Sequence, residues 1–252
     1  VINTKILLIL LFFPLLVGAQ DVTLTDSCVD CHANKGWRVT HKHLFDYYQR
    51  WSGSSHESEG VTCTDCHGGD ASKPGKQAAH GQGMDPESKH SAVNFRQVPE
   101  TCGTCHDTFY NAYQQSKHFK NLEGSKVQGP NCITCHGSMN TNRPDVNTVR
   151  EICLQCHEAG EKPDILASAE TLLNNLNAIR RYESYIRKRG TPEEVSTIFK
   201  QLDPLLDKVN ESWHHFDLDL IQKHTAILLE QARQKRDEVR DRRINSAKKS
   251  KE

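Results

Sequence analysis

Ten cysteines and fourteen histidines stand out among the 252 residues. The cysteines fall as Cys28-Val29-Asp30-Cys31-His32, Cys63-Thr64-Asp65-Cys66-His67, Cys102-Gly103-Thr104-Cys105-His106, Cys132-Ile133-Thr134-Cys135-His136 and Cys153-Leu154-Gln155-Cys156-His157. Every cysteine belongs to a C-x-x-C-H, and none is left over. Two thiols at this spacing can add to the two vinyl groups of one haem as thioethers. The imidazole directly after them then reaches the iron as its proximal ligand. A zinc ribbon or a disulfide framework would account for paired cysteines. Neither accounts for a histidine after the second cysteine five times in five. The sequence therefore predicts five covalently held haems c. The proximal ligands are His32, His67, His106, His136 and His157.

Nine histidines remain for the sixth coordination position of iron. His56, His90 and His118 share the context Ser-x-His and are the leading distal ligands. His43, His80 and His41 form a second group inside the haem region. His214, His215 and His224 lie in the C-terminal region and form a third, together with Met139, three residues after His136. The bland alternative for each histidine is a surface or core side chain. For Met139 and Met84 it is packing on a porphyrin face. One sequence does not show which haem each would serve.

The elements that position these groups differ sharply along the chain. In residues 20–160, Leu, Ile, Val and Phe number 19, a fraction that normally signals disorder. Five porphyrins resolve the conflict by supplying apolar faces for a loop-rich chain to wrap. The region repeats: C-x-x-C-H, an aromatic residue, S-x-H, then C-x-x-C-H-G. The first copy runs through Trp51, His56 and Cys63–Gly68, the second through Tyr113, His118 and Cys132–Gly137, and the Cys153 motif follows. Residues 161–252 hold no cysteine and show helical periodicity. A first helix is expected from Pro163 to Arg189, stopped at Gly190. Thr191-Pro192-Glu193-Glu194 reads as a capping box opening a second helix. Asp203-Pro204 is expected to restart or kink it, with a long helix following from about Leu206. Arg233–Lys251, with nine basic and three acidic residues, is expected to fray as a basic tail.

Lys5, the apolar run Ile6–Val17 and Gly18-Ala19 describe a secretory signal peptide cleaved near Ala19. The run is too short to span a membrane. Expected divisions are thus 1–19 signal, 20–160 pentahaem domain and 161–252 helical region. The fold class is mainly α with extensive loops, a haem-packed region followed by a helical hairpin or three-helix layer. Equal numbers of acidic and basic residues give no reason to expect a nucleic-acid partner.

The five motifs and the aromatic-x-x-S-x-H elements resemble multihaem c-type cytochromes of the class that includes hydroxylamine oxidoreductase, octahaem tetrathionate reductase and their electron-transfer relatives. The long helices after the last motif are similar to that class and to pentahaem nitrite reductase. The chain departs from the latter in having no C-x-x-C-K. Where many relatives carry histidine after Cys-His-Gly, it has Asp70 or Met139. Membrane quinol dehydrogenases with such haems keep an anchor helix that this chain lacks. The resemblance implies a periplasmic or extracellular protein that passes electrons between redox partners rather than converting a substrate. Two alternatives stand beside it. One is a reductase of a small nitrogen or sulfur compound with one open haem. The other is a subunit of a cytochrome filament or larger respiratory complex.

Overall fold

The computed structural model describes residues 26–81, 83–124, 129–157 and 163–249. The expected signal segment lies outside them. Among the described residues there are fourteen helices and no strand. Eleven are short and joined by loops: α1 (Ser27–His32), α2 (Trp37–Thr40), α3 (Lys42–Trp51), α4 (Ser55–Ser58), α5 (Cys63–His67), α6 (Lys76–His80), α7 (Val98–Gly103), α8 (Asp107–Gln114), α9 (Lys117–Glu123), α10 (Cys132–His136) and α11 (Val146–Leu154). Three are long: α12 (Pro163–Arg189), α13 (Pro192–His215) and α14 (Leu218–Lys249). The mainly α architecture with loops and C-terminal helices is as the sequence predicts.

Four of the five haem motifs begin on a short helix fixed by a capping side chain; the third, at the end of α7, has no such cap. Asp26 caps α1, its Oδ1 accepting from the Cys28 N–H at 2.9 Å. Asn131 and Thr134 form a capping box on α10: Thr134 N–H donates to Asn131 Oδ1 at 3.2 Å and Asn131 N–H to Thr134 Oγ1 at 3.1 Å. Asp145 caps α11, accepting from the N–H groups of Asn147 and Thr148 at 2.8 and 3.0 Å. Gly68 and Gly137, directly after His67 and His136, have φ of 71° and 77°. A left-handed residue there ends the helical turn at the histidine, which is the physical reason for glycine in C-x-x-C-H-G.

The aliphatic core belongs to the last three helices. Leu176, Ile179, Ile186, Ile198, Phe199, Leu202, Val209, Leu228, Ala232 and Val239 form one buried cluster. Among the described residues of 26–157 the buried apolar side chains are only Ala79, Val98, Pro99, Ala112, Tyr113 and Leu122. Helix α14 packs along both α12 and α13, and α13 also packs on α8, joining the two regions.

Two expectations are corrected here. Helix α13 continues through Pro204 without restarting, and the break falls at Phe216 (φ 54°), with Asp217 accepting from the N–H groups of Asp219 and Leu220 at 3.1 Å each. A proline removes one donor, but neighbouring packing holds the helix across it. The basic tail is also helical through Lys249 rather than frayed. Val239 is buried, the Arg236 guanidinium lies 4.5 Å from the centre of the Tyr182 ring, and Arg242 pairs with Glu194 at the start of α13. Its cations are used to hold α14 to its neighbours.

Candidate haem centres

No two of the ten cysteines are joined as a disulfide. Burial pushes the Cys28 thiol up to about 12, helped by the Asp26 carboxylate, and Cys135 up to about 11. Burial also raises Cys63, Cys66 and Cys153. The Cys102 and Cys132 thiols hydrogen-bond to each other, which holds Cys102 below and Cys132 above the usual thiol value. The raised thiols resist ionisation in this setting. Thioether formation removes the ionisable proton altogether.

The motifs are also neighbours in chain order. Cys28 lies beside Cys63, Cys66 beside Cys102 and Cys105, Cys102 beside Cys132, and Cys135 beside Cys153. Each pair is close enough for one thiol to influence the other's ionisation. The five motifs thus follow one another as a continuous series.

The histidines show the decisive geometry. The His32 ring centre lies 6.2 Å from that of His80. The pairs His106–His56, His157–His118 and His136–His214 each lie at 6.1 Å. A metal–imidazole bond is ~2 Å, and the ring centre lies about 1 Å behind the nitrogen, so two imidazoles across one iron sit roughly 6 Å apart. Four motif histidines therefore face a second imidazole at the spacing of an axial pair. Among the described residues no three His, Cys, Asp or Glu side chains gather as a metal-ion cluster. Opposed imidazole pairs and paired thiols are the donor set that haem c needs, and they fit it.

Electrostatics and hydrogen bonds prepare these rings. Burial lowers the pKa of His32, His67, His118, His136 and His214, so each is held neutral with a lone pair to give. His214 Nδ1–H donates to the Asn210 carbonyl at 2.7 Å, and His136 Nδ1–H to the Asn142 carbonyl at 3.2 Å. Both bonds fix the tautomer and leave Nε2 as the ligating atom. His56 Nδ1 meets Thr141 Oγ1 at 2.9 Å. The loop after His136 thus orients one ligand for each of two centres.

The Ser-x-His pattern has a local cause. Ser54 and Ser116 are buried helix N-caps, accepting from Glu57 N–H at 3.2 Å and Phe119 N–H at 3.1 Å. His56 and His118 are each the second residue of the helix so fixed. Trp51 Nε1–H donates to the Val61 carbonyl at 3.1 Å, and the Tyr113 hydroxyl to the Pro130 carbonyl. Each acceptor lies two residues before a motif cysteine, so the repeat's aromatic residue ties one motif to the next. Ser88 instead sits in a loop and accepts from the His90 N–H at 3.3 Å, and His90 is exposed.

The other named side chains lie elsewhere. His41 and His43 are exposed, the former 5.1 Å from the Trp37 ring centre and the latter beside Tyr47. His215 sits beside Glu211, and His224 Nδ1–H donates to Ser212 Oγ at 2.5 Å. Met139 is half-buried in the loop after His136. Met84 packs its sulfur over Gly69, where a Cβ would stand 2.8 Å away. His67 is half-buried, and among the described residues no histidine ring faces it at the axial spacing. Sequence reasoning passed over Phe109, whose ring stacks on His214 with centres 4.7 Å apart. Its place three residues after His106, one helical turn on, is the signal that could have found it.

Residues 55–158 match the family described as Cytochrome c3. The match spans less than half of the chain and holds four of the five motifs, those beginning at Cys63, Cys102, Cys132 and Cys153. It supports a multihaem c-type cytochrome, a haem-carrying electron-transfer protein. No curated protein and no solved structure matches the chain. Among the described residues no helix is long and apolar enough to cross a membrane.

Proposed function

We propose that the chain is an exported pentahaem c-type cytochrome that relays electrons between redox partner proteins, akin to the electron-transfer relatives of the hydroxylamine oxidoreductase class. The observation that carries this reading is the set of four histidine pairs at 6.1–6.2 Å. Haem c, when bound, supplies one-electron chemistry between ferric and ferrous iron. The chain's own part is to hold, space and tune. Each cysteine pair anchors one group covalently. His32 with His80, His106 with His56, His136 with His214 and His157 with His118 serve as axial pairs. Partial burial of His32, His118, His136 and His214 holds those four imidazoles neutral. The close succession of motifs sets a path in chain order from the Cys28 motif to the Cys153 motif.

The test is haem stoichiometry by the pyridine haemochrome assay, with electron paramagnetic resonance of the oxidised protein. Five haems per chain and predominantly low-spin ferric signals are expected. Fewer than five, or mostly high-spin iron, would sink the relay reading.

His67 favours a second reading, a reductase with one open haem. If that centre takes a small nitrogen compound, the oxidised protein gives one high-spin signal. That signal then shifts on adding nitrite or hydroxylamine. A high-spin signal indifferent to both argues against the reductase.

A further inference from the structure

The axial pairs proposed above are not isolated from one another. From His106 a run of near-parallel rings leads to His136. His106 lies beside Phe109 at 6.3 Å and 29°, Phe109 stacks on His214 at 4.7 Å and 25°, and His214 faces His136 at 6.1 Å and 3°. Of these, Phe109 and His214 are close enough for offset stacking, His106 is the next ring along, and His136 stands opposite His214 at the axial spacing. Phe109 therefore neighbours one ligand of the Cys102–Cys105 centre and one ligand of the Cys132–Cys135 centre.

We propose that Phe109 is the electronic bridge between these two centres, carrying electrons through His106, Phe109 and His214. The proposal rests on the axial-pair reading. One electron passes from the haem anchored by Cys102 and Cys105, oxidised from ferrous to ferric, to the haem anchored by Cys132 and Cys135, reduced from ferric to ferrous, or the reverse, with no bond broken and no proton moved. Tunnelling through an intervening ring outruns tunnelling across an empty gap, so a π system in this position shortens the effective path. The ring is held for the purpose from both sides. Helix α8 presents Phe109 one turn beyond His106. Helix α13 packs on α8 and brings in His214, whose Nδ1–H is locked to the Asn210 carbonyl. Phe109 lies outside the aliphatic core cluster, so its ring is not needed to fill that core.

The test uses holoprotein carrying Phe109→Leu and Phe109→Tyr. Pulse radiolysis of the oxidised protein, with the haem absorbance followed in time, reads intramolecular electron equilibration. In Phe109→Leu the haem content and low-spin resonance lines stay as in the parent, and one equilibration phase slows several-fold. Phe109→Tyr, which keeps the ring, restores it. A parent-like rate in the leucine variant overturns the bridge, as does a tyrosine variant slowed as much as the leucine one. His214→Ala separates this from the reading beneath it. A new high-spin ferric signal upholds His214 as ligand whatever Phe109 does, and its absence removes the ligand reading itself.

Discussion

At the residue scale, the same three letters did different work depending on what the serine caps. Ser54 and Ser116 open helices, and the histidines two positions on are carried to within 6.1 Å of motif histidines. Removing such a cap costs about 1 kcal/mol. Ser116→Ala is thus expected to lower the melting temperature by a few degrees, and to let part of one low-spin resonance become high-spin as His118 loosens. An unchanged resonance spectrum would separate the cap from the ligand. The partner of each histidine was illegible for a plain reason. Ser-x-His is a local signal, whereas His80 and His214 reach their partners only through loops and helix packing. His90 carries the motif, but Ser88 starts no helix, and periodicity cannot distinguish a capping serine from a loop serine before the backbone is known.

At the element scale, α12 was legible at both ends because its stop is a glycine and its neighbour opens on a capping box. The α13–α14 break was not, because Phe216 adopts a left-handed backbone that favours glycine or asparagine. The capping box itself yields a pH dependence. Thr191 N–H donates to Glu194 at 2.9 Å, and with Arg242 beside it the Glu194 carboxyl is held below the ordinary range. A lowered carboxylate pKa stabilises the fold above the unfolded value of about 4.3, and the contribution is lost as pH falls through the folded value. Glu194→Gln keeps the capping geometry and loses the charge, so it should melt a degree or two below the parent at pH 7, consistent with losing about 0.5 kcal/mol. The gap should close as the pH falls below about 4. A gap of the same size at pH 7 and pH 3 would assign the effect to packing rather than charge.

At the scale of the whole molecule, the repeat becomes intelligible only through its pairings. His56, in the first copy, meets the histidine of the third motif, and His118, in the second copy, meets that of the fifth. Each copy therefore reaches beyond its own two motifs, and the solitary motif at Cys153 receives the second copy's histidine. Between His136 and His214 the C-terminal helices enter the series, so the two compositional regions are joined where the chemistry lies. They do not share a core, however. Every member of the aliphatic cluster lies between residues 176 and 239, while among the described residues of 26–157 the buried apolar side chains are Ala79, Val98, Pro99, Ala112, Tyr113 and Leu122 alone. Ordering a residue costs about 1–2 kcal/mol of backbone entropy, and without porphyrin faces residues 26–157 have little apolar burial to offset it. Chain produced without haem attachment is thus expected to keep the helical circular dichroism of α12–α14 and to lose residues 26–157 first to limited proteolysis. Equal protease resistance of both regions in that form would show that the polypeptide alone folds the haem region.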